Sequence, residues 1–190
     1  MTKYNILKGR DMHQELILNK ISSVLSDTDE ALVNKLVGAV DKAKRIFITG
    51  AGRSGLVSRF FAMRLMHCRY TVYMVGEIVT PSIQAGDLFI VVSGSGGTET
   101  LLPLVRKAKS MNAEVAVISM KAKSPMAELA DHVIQIGGEN EYSFVTVQGM
   151  PMGTVFELST LIFLEAVVSK IVHDKGLTEE QMRAIHANLE

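Results

Sequence analysis

The stretch Val91 to Thr100, VVSGSGGTET, ends an apolar run and then offers Ser93, Ser95 and Thr98 with Gly94, Gly96 and Gly97 between them. Glycines let a backbone bend and approach a ligand closely, hydroxyls donate hydrogen bonds, and a loop that runs into a helix adds backbone N–H groups and a favourable dipole. Such a loop suits a phosphate monoester. A second stretch, Gly50-Ala-Gly-Arg-Ser-Gly55, supplies Gly52, Arg53 and Ser54. Arg53 is suited to neutralising phosphate or binding sugar hydroxyls, and equally to a surface salt bridge. Either loop alone is also explained as a turn with a helix cap. The Gly50-x-Gly52-x-x-Gly55 spacing further satisfies the dinucleotide fingerprint, with Glu77 near the position of a ribose-binding acid. Against that reading, the hydroxyls of the other loop are unexplained and the chain has no room for a separate substrate domain. GxxxxGK[ST] is absent, which argues against ATP hydrolysis.

These loops need elements to hold them. From about Asp11 to Ala43 apolar residues recur at helical spacing, broken at Ser26 to Glu30, and predict a helical N-terminal arm over about 1–43. Short β-rich runs follow at Arg45 to Thr49, Thr71 to Val75, Asp87 to Val92, Glu114 to Ser119 and His132 to Ile136. Between them lie a helix with Val57, Phe60, Phe61 and Leu65 inward and another with Leu101, Leu104, Val105, Ala108 and Met111 on one face. Ser124-Pro125 reads as the start of a short helix. Met152 to His173 reads as a buried helix, and Thr178 to Gln181 as a capping box, giving C-terminal helices over about 152–190. The expected architecture is a three-layer αβα sandwich with a five-stranded parallel sheet in the flavodoxin-like order 2-1-3-4-5, one domain over residues 1–190. In that order the ligand crevice lies between the first and third strands. Both glycine-rich loops then face it.

Formal neutrality, with 20 acidic and 20 basic residues, gives no support to nucleic-acid binding. The lone Cys68 excludes an internal disulfide framework, and the N-terminus lacks the pattern of a secretory signal, so a cytoplasmic setting is expected. Glu157, Glu165 and Lys170 interrupt the most apolar stretch, Val155 to Val172, which therefore reads as a buried helix rather than a membrane span. That helix, apolar nearly all round, implies an oligomer. No His/Cys/carboxylate group has metal-ligand spacing, and neither metal nor cofactor is expected.

Gly52-Arg-Ser-Gly55, the SGSG loop with Thr98, and Ser124-Pro-Met-Ala-Glu128 resemble the sugar isomerase (SIS) domain family of phosphosugar binders. The likeness extends to AMRLMH at Ala62 to His67, VGE at Val75 to Glu77, PMGTVFE at Pro151 to Glu157 and HANLE at His186 to Glu190. One departure is Gly97, where the family pattern has an acid.

The resemblance implies an isomerase that interconverts D-arabino-3-hexulose 6-phosphate and fructose 6-phosphate through a 2,3-enediol. It also implies the ribulose monophosphate route of formaldehyde fixation, hexulose-6-phosphate synthase as functional partner, and a homotetramer with sites near subunit interfaces. The substrate phosphate and sugar would be held by Gly52, Arg53, Ser54, Ser93, Gly94, Ser95, Gly96 and Thr98. Glu157, matching PMGTVFE, is the candidate base, since burial raises a carboxylate's pKa toward neutrality. His67 and His186 are candidates for shuttling protons between the substrate oxygens, with His67 brought in by a neighbouring subunit. His13, His132 and His173 match no motif and are read as structural. Two other functions remain open: a non-catalytic phosphosugar sensor and a dinucleotide enzyme.

Overall fold

The computed structural model describes residues 12–26, 28–137 and 150–189. Residues 1–11 of the expected arm and Glu190 of HANLE lie outside the described residues. The elements are α1 (Met12–Ser26), α2 (Glu30–Lys42), β1 (Ile46–Gly50), α3 (Gly52–His67), β2 (Val72–Met74), β3 (Leu88–Val92), α4 (Leu102–Ser110), β4 (Glu114–Ser119), β5 (His132–Gln135), α5 (Thr154–Lys175) and α6 (Glu179–Arg183). The five strands form one parallel sheet in the order β2-β1-β3-β4-β5. This is the order expected from the sequence.

Alternation along the strands divides the core. Ile46 and Ile48 of β1 face one cluster with Leu36, Val40, Phe61, Leu65 and Phe163, whereas Phe47 faces another with Val105, Val115, Val117 and Met126. The first face is covered by α2, α3 and α5, with α1 packed on α5; the second by α4 and the turns at 125–129. The three layers are present but unequal. Phe61 and Leu65 of α3 are fully buried, and each such side chain contributes about 1.5–3 kcal/mol. Helix α3 is therefore a rigid strut, and both of its ends are fixed in space.

Caps set the helix limits. Asp29 accepts a hydrogen bond from the Ala31 N–H at 3.0 Å to start α2, and Thr178 with Gln181 forms the expected capping box of α6. Gly153 at φ +87° and Gly176 at φ +59° bracket α5, so that helix begins and ends two residues later than the expected 152–173.

Several expectations need correction. Phe60 is 38% exposed: the buried stripe of α3 is Val57, Phe61 and Leu65, and a residue one position earlier is turned about 100° away from it. Leu104 and Met111 are only half-buried beside the buried Val105 and Ala108. Ser124-Pro125 opens turns rather than a helix, because the Met126 N–H is drawn across to the carbonyl of Gly96. Asp87 precedes β3 as a buried carboxylate that accepts from Arg45 Nη2 at 2.6 Å and from the Gln84 N–H at 2.7 Å. The expected N-terminal arm is helical over its described part, and α1 and α2 both pack on α5.

Candidate functional site

Strand β1 ends at Gly50, and the chain turns at once into α3. A Cβ at Gly50 would stand 2.7 Å from Ser58 Oγ and 2.8 Å from the Ser54 carbonyl, and one at Gly55 would stand 2.7 Å from the Gly50 oxygen. The two glycines thus interlock strand and helix. Ser58 donates to the carbonyls of Thr49 and Ser54 and locks the turn. The α3 N-cap, Ala51, makes no side-chain cap bond, and Gly52 and Arg53 are exposed at this positive end.

Strand β3 lies beside β1, with Gly50 in register with Val92, so the SGSGGT loop leaves the same edge of the sheet. Its carbonyls and hydroxyls are largely committed: Ser93 Oγ lies 3.0 Å from Thr98 Oγ1, and Ser95 Oγ accepts from the Gly97 N–H at 3.2 Å. The N–H groups of Gly94, Ser95, Thr98, Glu99 and Thr100 have no acceptor among the described residues. That is an inventory suited to an anion. The loop does not run straight into its helix, as the sequence suggested. Turns at Glu99, Thr100 and Leu101 intervene before α4 begins at Leu102, so the α4 N-terminus is set back from the SGSGGT loop.

The start of α5 completes the arrangement. Arg53 Nε donates to Glu157 Oε2 at 2.7 Å, and Arg53 Nη2 donates to the Met152 carbonyl at 2.6 Å. Glu157 is the more sheltered partner, 16% exposed against 59% for Arg53, and its Oε1 has no hydrogen-bond donor among the described residues. The carboxylate does not sit in the apolar surroundings expected of it. Its first neighbour is a guanidinium, whose own pKa the hydrogen bond and charge of Glu157 push further up. Gly153 makes the approach possible, since a Cβ there would lie 2.6 Å from Arg53 Nη2 and 2.7 Å from Glu157 Oε1. Gly94 packs on Phe156, the residue before Glu157, with 3.1 Å left for a Cβ. Three segments therefore converge: the loop after β1, the loop after β3, and the first turn of α5.

The two candidate histidines lie elsewhere in the chain. His67 and His186 stack on each other, with ring centroids 5.1 Å apart and planes 18° from parallel. His67 is 6% exposed, and burial first, then His186 and Arg64, hold its pKa below the usual value. Arg53 and His67 stand at opposite ends of α3, roughly 20 Å apart along the axis. Of the other histidines, His132 pairs with Glu114 at 2.8 Å and His173 with Asp174 at 3.2 Å. Glu77, the rival ribose acid, is paired with Arg59 at 2.6 Å. Among the described residues no group of three or more His, Cys, Asp or Glu could hold a metal ion, and no helix is long and apolar enough to cross a membrane.

Sequence reasoning missed Gly153, Ser119 and the loop-organising part of Ser124. The signal for the last two was available: hydroxyls at the end of β4 and in the turns that follow it, β4 being the strand that neighbours β3 on the side away from β1.

The fold is a doubly wound α/β protein, with a loop of unpaired N–H groups suited to an anion at its switch point. The SIS domain pattern matches residues 40–164. A 3-hexulose-6-phosphate isomerase of Methylomonas aminofaciens is 65% identical over 178 residues, spanning 94% of this chain and 98% of that one. A protein of the same name from Bacillus subtilis is 39% identical, over 92% and 95%. A solved structure from Methanococcus jannaschii, described as inferring a molecular function of 3-hexulose-6-phosphate isomerase, superposes with TM-score 0.83 at 37% identity, over 94% of this chain and 99% of that one. The chain belongs to the SIS domain family, within the group that contains these isomerases, the 6-phospho-3-hexuloisomerases.

Proposed function

We propose that the chain is an isomerase interconverting D-arabino-3-hexulose 6-phosphate and fructose 6-phosphate, acting in the cytoplasm in the ribulose monophosphate route alongside hexulose-6-phosphate synthase. The observation that carries the reading is the convergence of an anion-ready loop with a carboxylate whose Oε1 accepts no hydrogen bond among the described residues. Phosphate occupies the cradle of Ser93, Gly94, Ser95, Gly96 and Thr98, with Gly52, Arg53 and Ser54 beside it. Glu157 removes the proton from C2; the C–H electron pair forms the C2=C3 bond of the enediol while the C3 carbonyl oxygen takes up a proton. The proton on O2 is then lost, the C2 carbonyl forms, and Glu157 returns its proton to C3. Arg53, the exposed half of the ion pair, is placed to exchange Glu157 for a substrate oxygen.

Proton transfer between O2 and O3 falls to His67 with His186, supplied by a second copy. Supporting this, α3 shows an outward stripe of Leu56, Phe60 and Met63, at 67%, 38% and 49% exposure. Leu158 and Ile162 of α5 lie alongside, and the Arg53–Glu157 and Arg64–Glu165 pairs show the two helices running in the same direction. A copy packed on this face about a two-fold axis brings the His67 end of its α3 to the Arg53 end of this one. The homotetramer is built by pairing such dimers.

A coupled assay from hexulose 6-phosphate to fructose 6-phosphate tests the reading. Turnover is expected without added nucleotide. Phosphosugar binding without turnover would make the chain a sensor, and stoichiometric NADH binding would favour the dinucleotide reading.

A further inference from the structure

Two buried serines of the β4 end are absent from the mechanism above. Ser119, fully buried, donates its hydroxyl to the Gly94 carbonyl at 3.1 Å and accepts the Lys121 N–H at 3.1 Å. The Met120 N–H donates to the same Gly94 carbonyl at 3.1 Å. Ser124, 7% exposed, accepts the Ala127 N–H at 3.2 Å and so closes the turn whose Met126 N–H donates to the Gly96 carbonyl at 3.0 Å. Contact is close: Gly96 has φ +61°, and a Cβ there would stand 2.1 Å from Ser124 Oγ. Two successive glycine carbonyls of the SGSGG loop are thus drawn toward β4.

Peptide stereochemistry gives this a consequence. In a trans peptide the N–H points opposite to the carbonyl of the same plane, so fixing the Gly94 carbonyl on the β4 side directs the Ser95 N–H to the other side. Strand β3 has β4 on one flank and β1 on the other, and the other side is the crevice shared with Gly52 and Arg53. The Ser95 N–H has no acceptor among the described residues.

We propose that Ser119 and Ser124 are positioning residues of the phosphate cradle: Ser119 holds the Gly94 carbonyl toward β4, so that the Ser95 N–H is presented to the anion, and Ser124 closes the turn whose Met126 N–H fixes the Gly96 carbonyl, so that the Gly97 N–H stays on Ser95 Oγ and the loop keeps its shape. This rests on the phosphosugar reading of the loop, and the test separates the two. Ser119→Ala, Ser124→Ala and the rescue variant Ser124→Thr are compared with the wild-type chain. Inorganic phosphate binding is measured by calorimetry, KM and kcat by the coupled assay, and folding by thermal unfolding. Each alanine variant is expected to weaken phosphate binding and raise KM by about tenfold while kcat stays within about twofold, and Ser124→Thr is expected to restore binding. Folded alanine variants that bind phosphate as the wild type does, or that lose kcat at unchanged KM, would overturn the proposal. Should Ser119→Ala fail to fold, Ser124→Ala carries the test, its hydroxyl lying in the turns after β4 rather than in the sheet. A wild-type chain that binds phosphate without turnover, with binding still lost in the variants, would remove the isomerase reading and leave the positioning role standing.

Discussion

The two ends of α3 are made of opposite materials. At Gly52 and Arg53 the helix is uncapped, exposed and charged, and its guanidinium holds Glu157 across to α5. At His67 it is buried and aromatic, with an imidazole whose pKa burial holds below the usual value and which stacks on another. Neither end contains both the proposed base and the proposed proton shuttle. A rigid strut of roughly 20 Å separates them within one chain, and in the proposed assembly a two-fold partner reunites them. The protein is thereby read as an enzyme whose site is completed by assembly.

The charged end breaks most completely with Glu157→Gln, which keeps the side-chain shape but removes the base. Its kcat is expected to fall about 10³-fold, with phosphosugar binding by calorimetry nearly unchanged. Gly153→Ala comes next. Its methyl group would occupy the space of the Arg53 and Glu157 head groups at a φ of +87°, and about a hundredfold loss of activity is expected with a modest fall in Tm.

Much of this comparison was legible in the sequence, and the rest had physical reasons to stay hidden. Glycines that interlock β1 with α3 leave a spacing signature because a Cβ would overlap backbone, so GAGRSG announces itself. The parallel sheet followed from the alternation of short strands with helices, and its order β2-β1-β3-β4-β5 is the flavodoxin-like one expected for five such strands. Phe60 misled because a helix with apolar residues on two faces has no unique inner side from periodicity alone, and its second face is the one assigned to a partner copy. The stacking of His67 on His186 joins residues far apart in sequence through the packing of the C-terminal segment, which no local pattern encodes. The Ser119 and Ser124 contacts depend on which carbonyls turn toward β4, a matter of peptide orientation rather than residue type.

The buried end predicts a smaller effect with a definite sign. The folded chain holds His67 below its ordinary value of 6.5, so the unfolded chain binds more protons once pH falls under that value. Stability contributed by the neutral imidazole is present above about pH 6.5 and is lost as pH drops through the folded pKa. Thermal unfolding from pH 7 to pH 5 should show a fall in Tm that His67→Asn lessens; parallel curves would show that His67 does not drive it. The smallest effect belongs to Gly97. Among the described residues only Pro125 Cδ at 3.9 Å and the Ser95 carbonyl at 4.0 Å would neighbour a Cβ there, in ordinary contact. Gly97→Glu should therefore leave Tm unchanged and alter KM by less than about threefold, a change read as added charge rather than distortion.

Mixing subunits tests the shared site most directly. Glu157→Gln and His67→Asn chains, each of low activity alone, are unfolded together, refolded and assayed. If each site takes Glu157 from one copy and His67 from the other, random pairing leaves one intact site in every mixed dimer and restores roughly a quarter of wild-type activity. Activity no higher than the average of the two variants, in a mixture shown to contain mixed dimers, would contradict the account.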